Sequence, residues 1–253
     1  MKLNVIGCGD AFGSGGRFHS CYLLETSKGR LLLDCGANSP LALKRAGLTV
    51  ADMDAVVISH CHGDHFGGLP FLFLDKMFMD RGSGPLEILG PPGIGERTEA
   101  LLDCLYPKIK DLPRKFELNF IELPPGRETV WRGLPIRAFE VVHPSGSPSL
   151  ALSFADGGKR FAFSGDSSWC DAVIEAGRGA DLYLIECTFH AMKSNMHLDY
   201  LTLASKFGEI GASRYLLTHM SEEMLAAQGG IDTARCIAAY EGLTVDLQTF
   251  SPA

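Results

Sequence analysis

Three histidines and one aspartate stand within six residues, in the segment His60-Cys61-His62-Gly63-Asp64-His65. The segment follows residues 55–59, an apolar run typical of a buried strand. Because successive side chains of a strand point to opposite faces, His60 and His62 project to the same side at its end, while Asp64 and His65 follow on the next turn. Imidazole and carboxylate groups at this spacing are metal ligands, and the arrangement suits two ions.

Further candidate ligands stand directly after apolar runs downstream. His143 follows residues 136–142, Asp166 follows residues 161–165, and His219 follows residues 215–218. Each is therefore expected at the carboxyl end of a strand, where proteins of mixed class gather their binding groups. Together with the first segment, these positions supply five imidazoles and two carboxylates.

The order HxHxDH, a distant His, Ser-Gly-Asp and a final His resembles the metallo-β-lactamase superfamily over nearly the whole chain. The resemblance divides the candidate ligands between two metal ions that share one carboxylate. The first ion would be held by His60, His62 and His143, the second by Asp64, His65 and His219, and both by Asp166. Asp34, at the end of another apolar run, matches the acidic residue that supports the ligands from behind.

A narrower resemblance to ribonuclease Z and its phosphodiesterase relatives is carried by Glu186-Cys187-Thr188 and His197. Those enzymes have Glu-Ala-Thr and a His at matching places, where the carboxylate orients a histidine that protonates the leaving group. The resemblance implies that His197 is a general acid, Glu186 its orienting partner and Thr188 a supporting residue, with Asp64 as a further catalytic group. The chain departs from the pattern at Cys187 and in the two residues after His197.

The 253 residues, 46% of them hydrophobic, contain no linker-like segment, so a single domain over residues 1–253 is the simplest interpretation. Apolar patterning predicts alternating strands and helices, an α/β or α+β arrangement. The family resemblance implies a four-layer αββα sandwich with the metals at the shared edge of its sheets. Strands are predicted near residues 3–7, 21–25, 30–34, 55–59, 136–143, 150–154, 160–164, 182–186 and 214–219. Helices are predicted from a cap at Asn38 to Gly47, and from about Asp199 to Ile210, where Leu201, Ala204, Phe207 and Ile210 repeat at near-helical spacing.

Two divalent cations about 3.5–4 Å apart can share a water, lower its pKa and hold the oxygens of a phosphodiester during hydroxide attack. An alkoxide leaving group needs a proton more than a strained lactone or a thioester does, so a histidine acid favours phosphoryl substrates. A dinuclear metal-dependent hydrolase, specifically a phosphodiesterase, is predicted. The alternatives are a lactonase or thioesterase in which His197 only lines the pocket, and a non-catalytic metal-containing binding protein. The ligand types suit zinc, with manganese or iron as alternatives.

Only 22 residues separate His143 from Asp166, whereas tRNA-processing relatives insert a long flexible arm in this interval. The net charge of −7 also opposes the binding of a polyanion. A small or cyclic phosphodiester is therefore the predicted substrate, and tRNA is disfavoured. Arg17, in the glycine-rich segment 7–17, is a candidate phosphate contact; a plain turn between strands is the alternative.

The first residues are strand-like and show no signal-peptide pattern, and no apolar stretch is long enough for a membrane span. The eight cysteines contain no Cys-x-x-Cys pair, so a cytoplasmic protein with reduced thiols is expected. Residues 70–79 are the most apolar helix candidate, for which core packing is favoured over a substrate lip or a dimer surface. A homodimer is considered by analogy with relatives.

Overall fold

Two mixed β-sheets form the centre of the computed structural model, which describes residues 1–80, 84–249 and 251–252. The first sheet contains Lys2–Gly7 (β1), Cys21–Thr26 (β2), Gly29–Leu33 (β3), Ala55–Val57 (β4), Leu86–Gly90 (β5), Leu118–Glu122 (β6), Thr244–Asp246 (β14) and Ser251–Pro252 (β15). The second contains Glu128–Trp131 (β7), Leu134–Val141 (β8), Ser149–Asp156 (β9), Lys159–Phe163 (β10), Leu182–Glu186 (β11), Tyr215–Thr218 (β12) and Cys236–Ala238 (β13). Their spatial orders are β15-β14-β1-β2-β3-β4-β5-β6 and β13-β12-β11-β10-β9-β8-β7.

The α-helices are Ser39–Arg45 (α1), Gly63–Phe66 (α2), Leu69–Leu74 (α3), Ile94–Leu105 (α4), Asp171–Gly177 (α5), Tyr200–Ile210 (α6) and Glu222–Ala227 (α7). A π-helical segment, Asp75–Met79, continues α3. Short 3-10 turns occur at Ser14–Gly16, Val50–Asp52, Ile109–Asp111 and Gln228–Gly230. Among the described residues, no helix has the length and apolar character needed to span a bilayer.

The fold has four layers: helices, the first sheet, the second sheet and further helices. Three apolar clusters lie between these layers. In β3, Leu31 and Leu33 belong to the cluster between the two sheets, whereas Leu32 faces the helices outside the first sheet. This alternation follows from the twofold repeat of a strand and explains why the leucine run is buried on both faces. Helices α5 and α6 cover the outer face of the second sheet. The predicted αββα sandwich is confirmed.

The directions of the strands place the candidate site residues at one edge shared by the two sheets. Strands β3, β4 and β5 run parallel to one another, as do β10, β11 and β12. Strand β8 is antiparallel to β9, which is antiparallel to β10, so β8 and β10 share a direction. The carboxyl ends of β3, β4, β8, β10, β11 and β12 therefore carry the candidate site residues.

Some predictions of local structure were wrong. Asn38 does not cap α1 with its side chain, because its Oδ1 accepts a hydrogen bond from the backbone N–H of His19 at 2.8 Å. In α6, Leu203 is buried and Leu201 is 51% exposed, so the buried face is turned from the predicted one. Residues 70–79 pack into the core only in part, because Phe73 in α3 is buried whereas Met79 in the π-helical segment is exposed.

Candidate metal centre

The predicted metal ligands lie within reach of one another at the shared edge of the sheets. One ligand atom each from His60, His62 and His143 forms a group within 4.8 Å, and a second such group is formed by Asp64, His65, Asp166 and His219. All of them are buried apart from His62, which is partly exposed. The structure thus brings together every residue assigned to the two metal sites.

Asp166 lies between the two groups. Its Oδ2 is 3.2 Å from His65 Nε2 and 3.3 Å from His219 Nε2, and 3.9 Å from the Nε2 atoms of both His60 and His143. The turn that presents it requires Gly165, which has a φ of 55° and whose added Cβ would lie 2.7 Å from the Leu150 carbonyl oxygen. The glycine of the Ser-Gly-Asp motif is therefore structural.

Each imidazole of the two groups makes a hydrogen bond through the ring nitrogen that faces away from the centre. His65 Nδ1 donates to Asp34 Oδ2 at 2.7 Å. His62 Nε2 and His143 Nδ1 meet acceptor-only backbone carbonyls, so they must donate as well, which fixes both tautomers. The partners are Pro144 O at 3.1 Å for His62 and Met196 O at 2.9 Å for His143.

The remaining two imidazoles are fixed through hydroxyl relays. Ser59 Oγ donates to Asp34 Oδ2 at 2.8 Å and so accepts from His60 Nδ1 at 3.1 Å. Thr188 Oγ1 donates to Glu186 Oε2 at 2.8 Å and accepts from His219 Nδ1 at 3.0 Å. Asp34 and Thr188 thus stand behind the ligands, as the resemblance implied.

The inner ring nitrogens fit divalent cations. The Nε2 atom of His60 is buried and has no hydrogen-bond partner within the described part of the chain. The buried Nε2 of His65 lies 3.2 Å from carboxylate oxygens of both Asp64 and Asp166. His62 Nδ1 and His143 Nε2 face each other at 3.0 Å although the outer bonds leave each with a lone pair. Two lone pairs at this distance repel unless a proton or a metal ion lies between them, and His and Asp ligands suit a metal ion.

The pKa shifts of the histidines also indicate a site for divalent cations. Burial by itself lowers the pKa of His219, but Asp166 and the hydrogen bond to Asp64 raise it to about 9. Burial also opposes protonation of His65, yet Asp166, Asp64 and Asp34 raise its pKa well above the ordinary value. The carboxylates thus hold protons on these rings, and a divalent cation can replace those protons. By contrast, two effects lower the pKa of His60 well below its ordinary value: burial, which is the larger, and the nearby charge of His65. This ring is therefore neutral.

A histidine–glutamate pair lies beside the two groups. His197 Nδ1 is 3.1 Å from Glu186 Oε1 and 3.9 Å from Asp166 Oδ2, and its side chain is 21% exposed. Burial alone lowers the pKa of His197, but the hydrogen bond to Glu186 and the charge of that carboxylate raise it. Glu186 is buried and also accepts from the backbone N–H groups of Ser167 and Leu198, which hold it in place.

The structure adds contacts of Arg17 and three residues behind the imidazoles that sequence reasoning did not name. Arg17 donates from Nη1 to the Ala239 carbonyl at 2.9 Å and contacts Cys8 Sγ at 3.7 Å, so the guanidinium joins the glycine-rich segment to the C-terminal part of the chain. Ser59 was not predicted, although its position next to His60 was a usable signal. Met196 and Pro144 act through carbonyl oxygens, which residue type does not reveal.

The family model described as "Anti-Pycsar protein Apyc1" matches residues 1–240. The chain belongs to this family. It is also 30% identical to the probable metallo-hydrolase YhfI of Bacillus subtilis, over 87% of each chain. The crystal structure of YhfI, a metallo-β-lactamase fold protein, superposes with a TM-score of 0.77 at 25% identity, covering 97% of this chain and 99% of YhfI.

Ribonuclease Z proteins are similar as well. That of Methanosarcina acetivorans is 26% identical over 87% of this chain and 88% of its own length. Human tRNase Z, short form, has the same fold, with a TM-score of 0.78 at 22% identity over 98% of this chain and 99% of the human one. The prediction that this chain belongs to the metallo-β-lactamase superfamily is confirmed. The prediction that it is a metal-dependent hydrolase is confirmed as well.

Proposed function

We propose that this protein is a dinuclear metal-dependent phosphodiesterase that hydrolyses a small or cyclic phosphodiester. The observation that carries the proposal is the His197–Glu186 pair, 3.1 Å apart, beside the carboxylate shared by both metal sites. Strained or thioester carbonyl substrates have little need for such a proton donor, whereas a phosphodiester releases an alkoxide. The similarity to ribonuclease Z proteins supports phosphodiester chemistry.

The proposed ligand sets are those described above, with Asp166 shared, Asp64 in the second set and zinc as the ion that best suits imidazole and carboxylate ligands. Divalent cations lower the pKa of water and neutralise charge on phosphoryl oxygens. The protein holds the imidazoles in fixed tautomers, so their inner nitrogens need no rearrangement on binding. Preorganised ligands of this kind reduce the reorganisation that the reaction requires.

The residues of the pair divide the proton chemistry. When His197 is protonated, Nδ1–H donates to Glu186 Oε1, and Nε2–H is available for the departing oxygen. Glu186 stabilises the imidazolium and fixes the ring orientation, while its other oxygen accepts from Thr188. We therefore assign His197 as the general acid and Glu186 as its positioning residue.

The length between the ligands limits the substrate. The interval from His143 to Asp166 consists of residues 144–148, strands β9 and β10, their two-residue connection at 157–158, and residues 164–165. The two-residue connection between β9 and β10 leaves no room in this interval for a long arm that could hold a folded RNA. Together with the net charge of −7, this supports a small or cyclic phosphodiester.

A direct assay tests the function. We expect purified, metal-replete protein to hydrolyse bis-p-nitrophenyl phosphate and a set of cyclic and linear phosphodiesters. We also expect a chelator to abolish turnover and added zinc to restore it. Lactone and thioester panels provide the comparison under the same conditions. Faster turnover of either carbonyl panel would contradict the proposal, and so would tight binding of a phosphodiester without any hydrolysis.

A homodimer is proposed from an apolar groove on the outer face of the first sheet. The groove has a volume of about 540 Å³ and lies between α1 and the α3–π segment. Leu41, Phe71, Phe78 and Met79 line it and are 40–70% exposed. Exposed apolar patches of this kind mark interaction surfaces, and a second copy presents the same patch.

Phe78→Glu is expected to convert the dimer into a monomer, because the twofold axis places two unpaired carboxylates in the apolar interface. Sedimentation or light scattering measures the mass, and we expect the dimer dissociation constant to rise by about a hundredfold or more. Phe12→Glu is the matched control, since Phe12 is 92% exposed and lies outside the groove. A monomeric wild-type protein would refute the dimer.

A further inference from the structure

The segment 189–199, named here the His197 loop, is closed at its base. The Phe189 N–H donates to the Leu198 carbonyl at 3.2 Å, and the Tyr200 N–H donates to the Phe189 carbonyl at 2.8 Å. Lys193 Nζ reaches both carboxylate oxygens of Asp199, at 2.8 and 2.9 Å. The loop therefore leaves and rejoins the fold at one place. Glu223 holds its first residues from outside, by accepting from the N–H groups of His190 and Ala191.

The loop supplies groups to both parts of the site. His197 binds Glu186, and the carbonyl of Met196 accepts the hydrogen bond that fixes the tautomer of His143. The Met196 carbonyl and the His197 N–H belong to the same peptide unit, which is planar. Any rotation of that unit moves the acceptor of a metal ligand and the backbone of the proposed acid together.

The hydroxyl of Ser194 lies against this peptide unit. Ser194 Oγ accepts from the His197 N–H at 3.3 Å and from the Met196 N–H at 3.0 Å. Because hydrogen bonds to the two ends of one peptide polarise each other, the bond to the His197 N–H also strengthens the carbonyl as an acceptor. Serine hydroxyls commonly hold short turns in this way.

We infer that Ser194 is a positioning residue that couples the first metal site to the general acid. It fixes the peptide unit between Met196 and His197, and through that unit it orients His143 and sets the backbone of His197. The coupling to the acid rests on the proposed function, whereas the coupling to His143 concerns metal binding alone. The role is separate from that of Glu186, which contacts the His197 ring directly.

The test measures metal affinity without any substrate. Ser194→Ala is expected to raise one of the two zinc dissociation constants by about tenfold, the lower end of the range for residues that orient ligands. The other constant is expected to stay within twofold. Competition with a chromophoric chelator resolves both constants, and Ser194→Thr, which keeps the hydroxyl, is expected to restore the first. The matched control is Ser205→Ala, because Ser205 Oγ donates to the Thr202 carbonyl on α6 and, among the residues that the structure describes, makes no other hydrogen bond.

A second measurement tests the effect of Ser194 on the general acid His197. In Ser194→Ala, turnover of diesters with poor leaving groups should fall about tenfold more than turnover of activated p-nitrophenyl esters. Unchanged zinc constants in Ser194→Ala would overturn the inference, as would an equal loss in Ser205→Ala or in Ser194→Thr. If the protein hydrolyses no phosphodiester but Ser194→Ala still loses zinc affinity, the proposed function fails and the coupling to His143 stands.

Discussion

Asp166→Ala is expected to reduce the metal content from two ions per chain to less than one and to lower phosphodiester turnover by at least about a thousandfold. The reason is the position of Oδ2, which lies 3.2–3.9 Å from four imidazole nitrogens of the two sites. Without this carboxylate, neither set keeps its shared ligand, and the net charge of the centre becomes less negative. Elemental analysis of the purified variant measures the occupancy directly.

Asp166→Asn separates charge from shape in the same experiment. The amide keeps the size of the side chain, so retained thermal stability with lost metal would show that the ionised oxygen holds the ions. Asp171→Ala is the matched control, because Asp171 is an exposed residue of the first turn of α5. A variant of Asp166 with unaltered metal content would contradict the bridging assignment.

His197→Ala is expected to slow the hydrolysis of diesters with alkoxide leaving groups by about a hundredfold to ten-thousandfold, the usual contribution of a positioned general acid. Diesters of p-nitrophenol, whose leaving group is stable as an anion, should lose less than about tenfold. The measurement is a series of substrates of increasing leaving-group pKa, in which the variant should show the steeper dependence. Metal content should stay at the wild-type level, since neither proposed ligand set includes His197. A loss of metal would instead make His197 a ligand, because its ring also groups with His143 and Asp166 within 4.8 Å.

The control is His190→Ala, seven residues earlier in the same loop. The His190 ring stacks on Tyr200 with centroids 5.7 Å apart and belongs to none of the candidate metal groups among the described residues. It should therefore reproduce any general loosening of the loop without removing a proton donor. Equal losses across the leaving-group series in His197→Ala would exclude the acid role.

The candidate ligands could be proposed from sequence because His60, His143, Asp166 and His219 each follow an apolar run, and the others cluster just after His60. These patterns are local, and strand direction then brings distant positions such as His143 and His219 to one edge. The strands β5, β6, β7, β13, β14 and β15 have no counterpart among the predicted ones. Strand β14 is three residues long and pairs with β1 at the opposite end of the chain, so its partner cannot be inferred from the neighbouring sequence.

The same limit explains contacts that the sequence did not reveal. Arg17 binds a carbonyl 222 positions away, and the partner of Asn38 is a backbone N–H 19 residues earlier, so neither contact is visible locally. The carbonyl of Met196 is a still harder case, because every residue has one. Residue type indicated which groups could bind metal, and only the folded chain showed what holds those groups in their tautomers.

Asp34 and His219 both adopt left-handed backbone conformations, each with a φ of 56°. For a residue with a side chain, this geometry costs on the order of 1–3 kcal/mol, and glycine would relieve it. Glycine at either position would also delete a group on which the metal centre depends. Exchange to glycine at either position should therefore move two properties in opposite directions: the backbone would gain stability while the affinity of the centre for metal would fall.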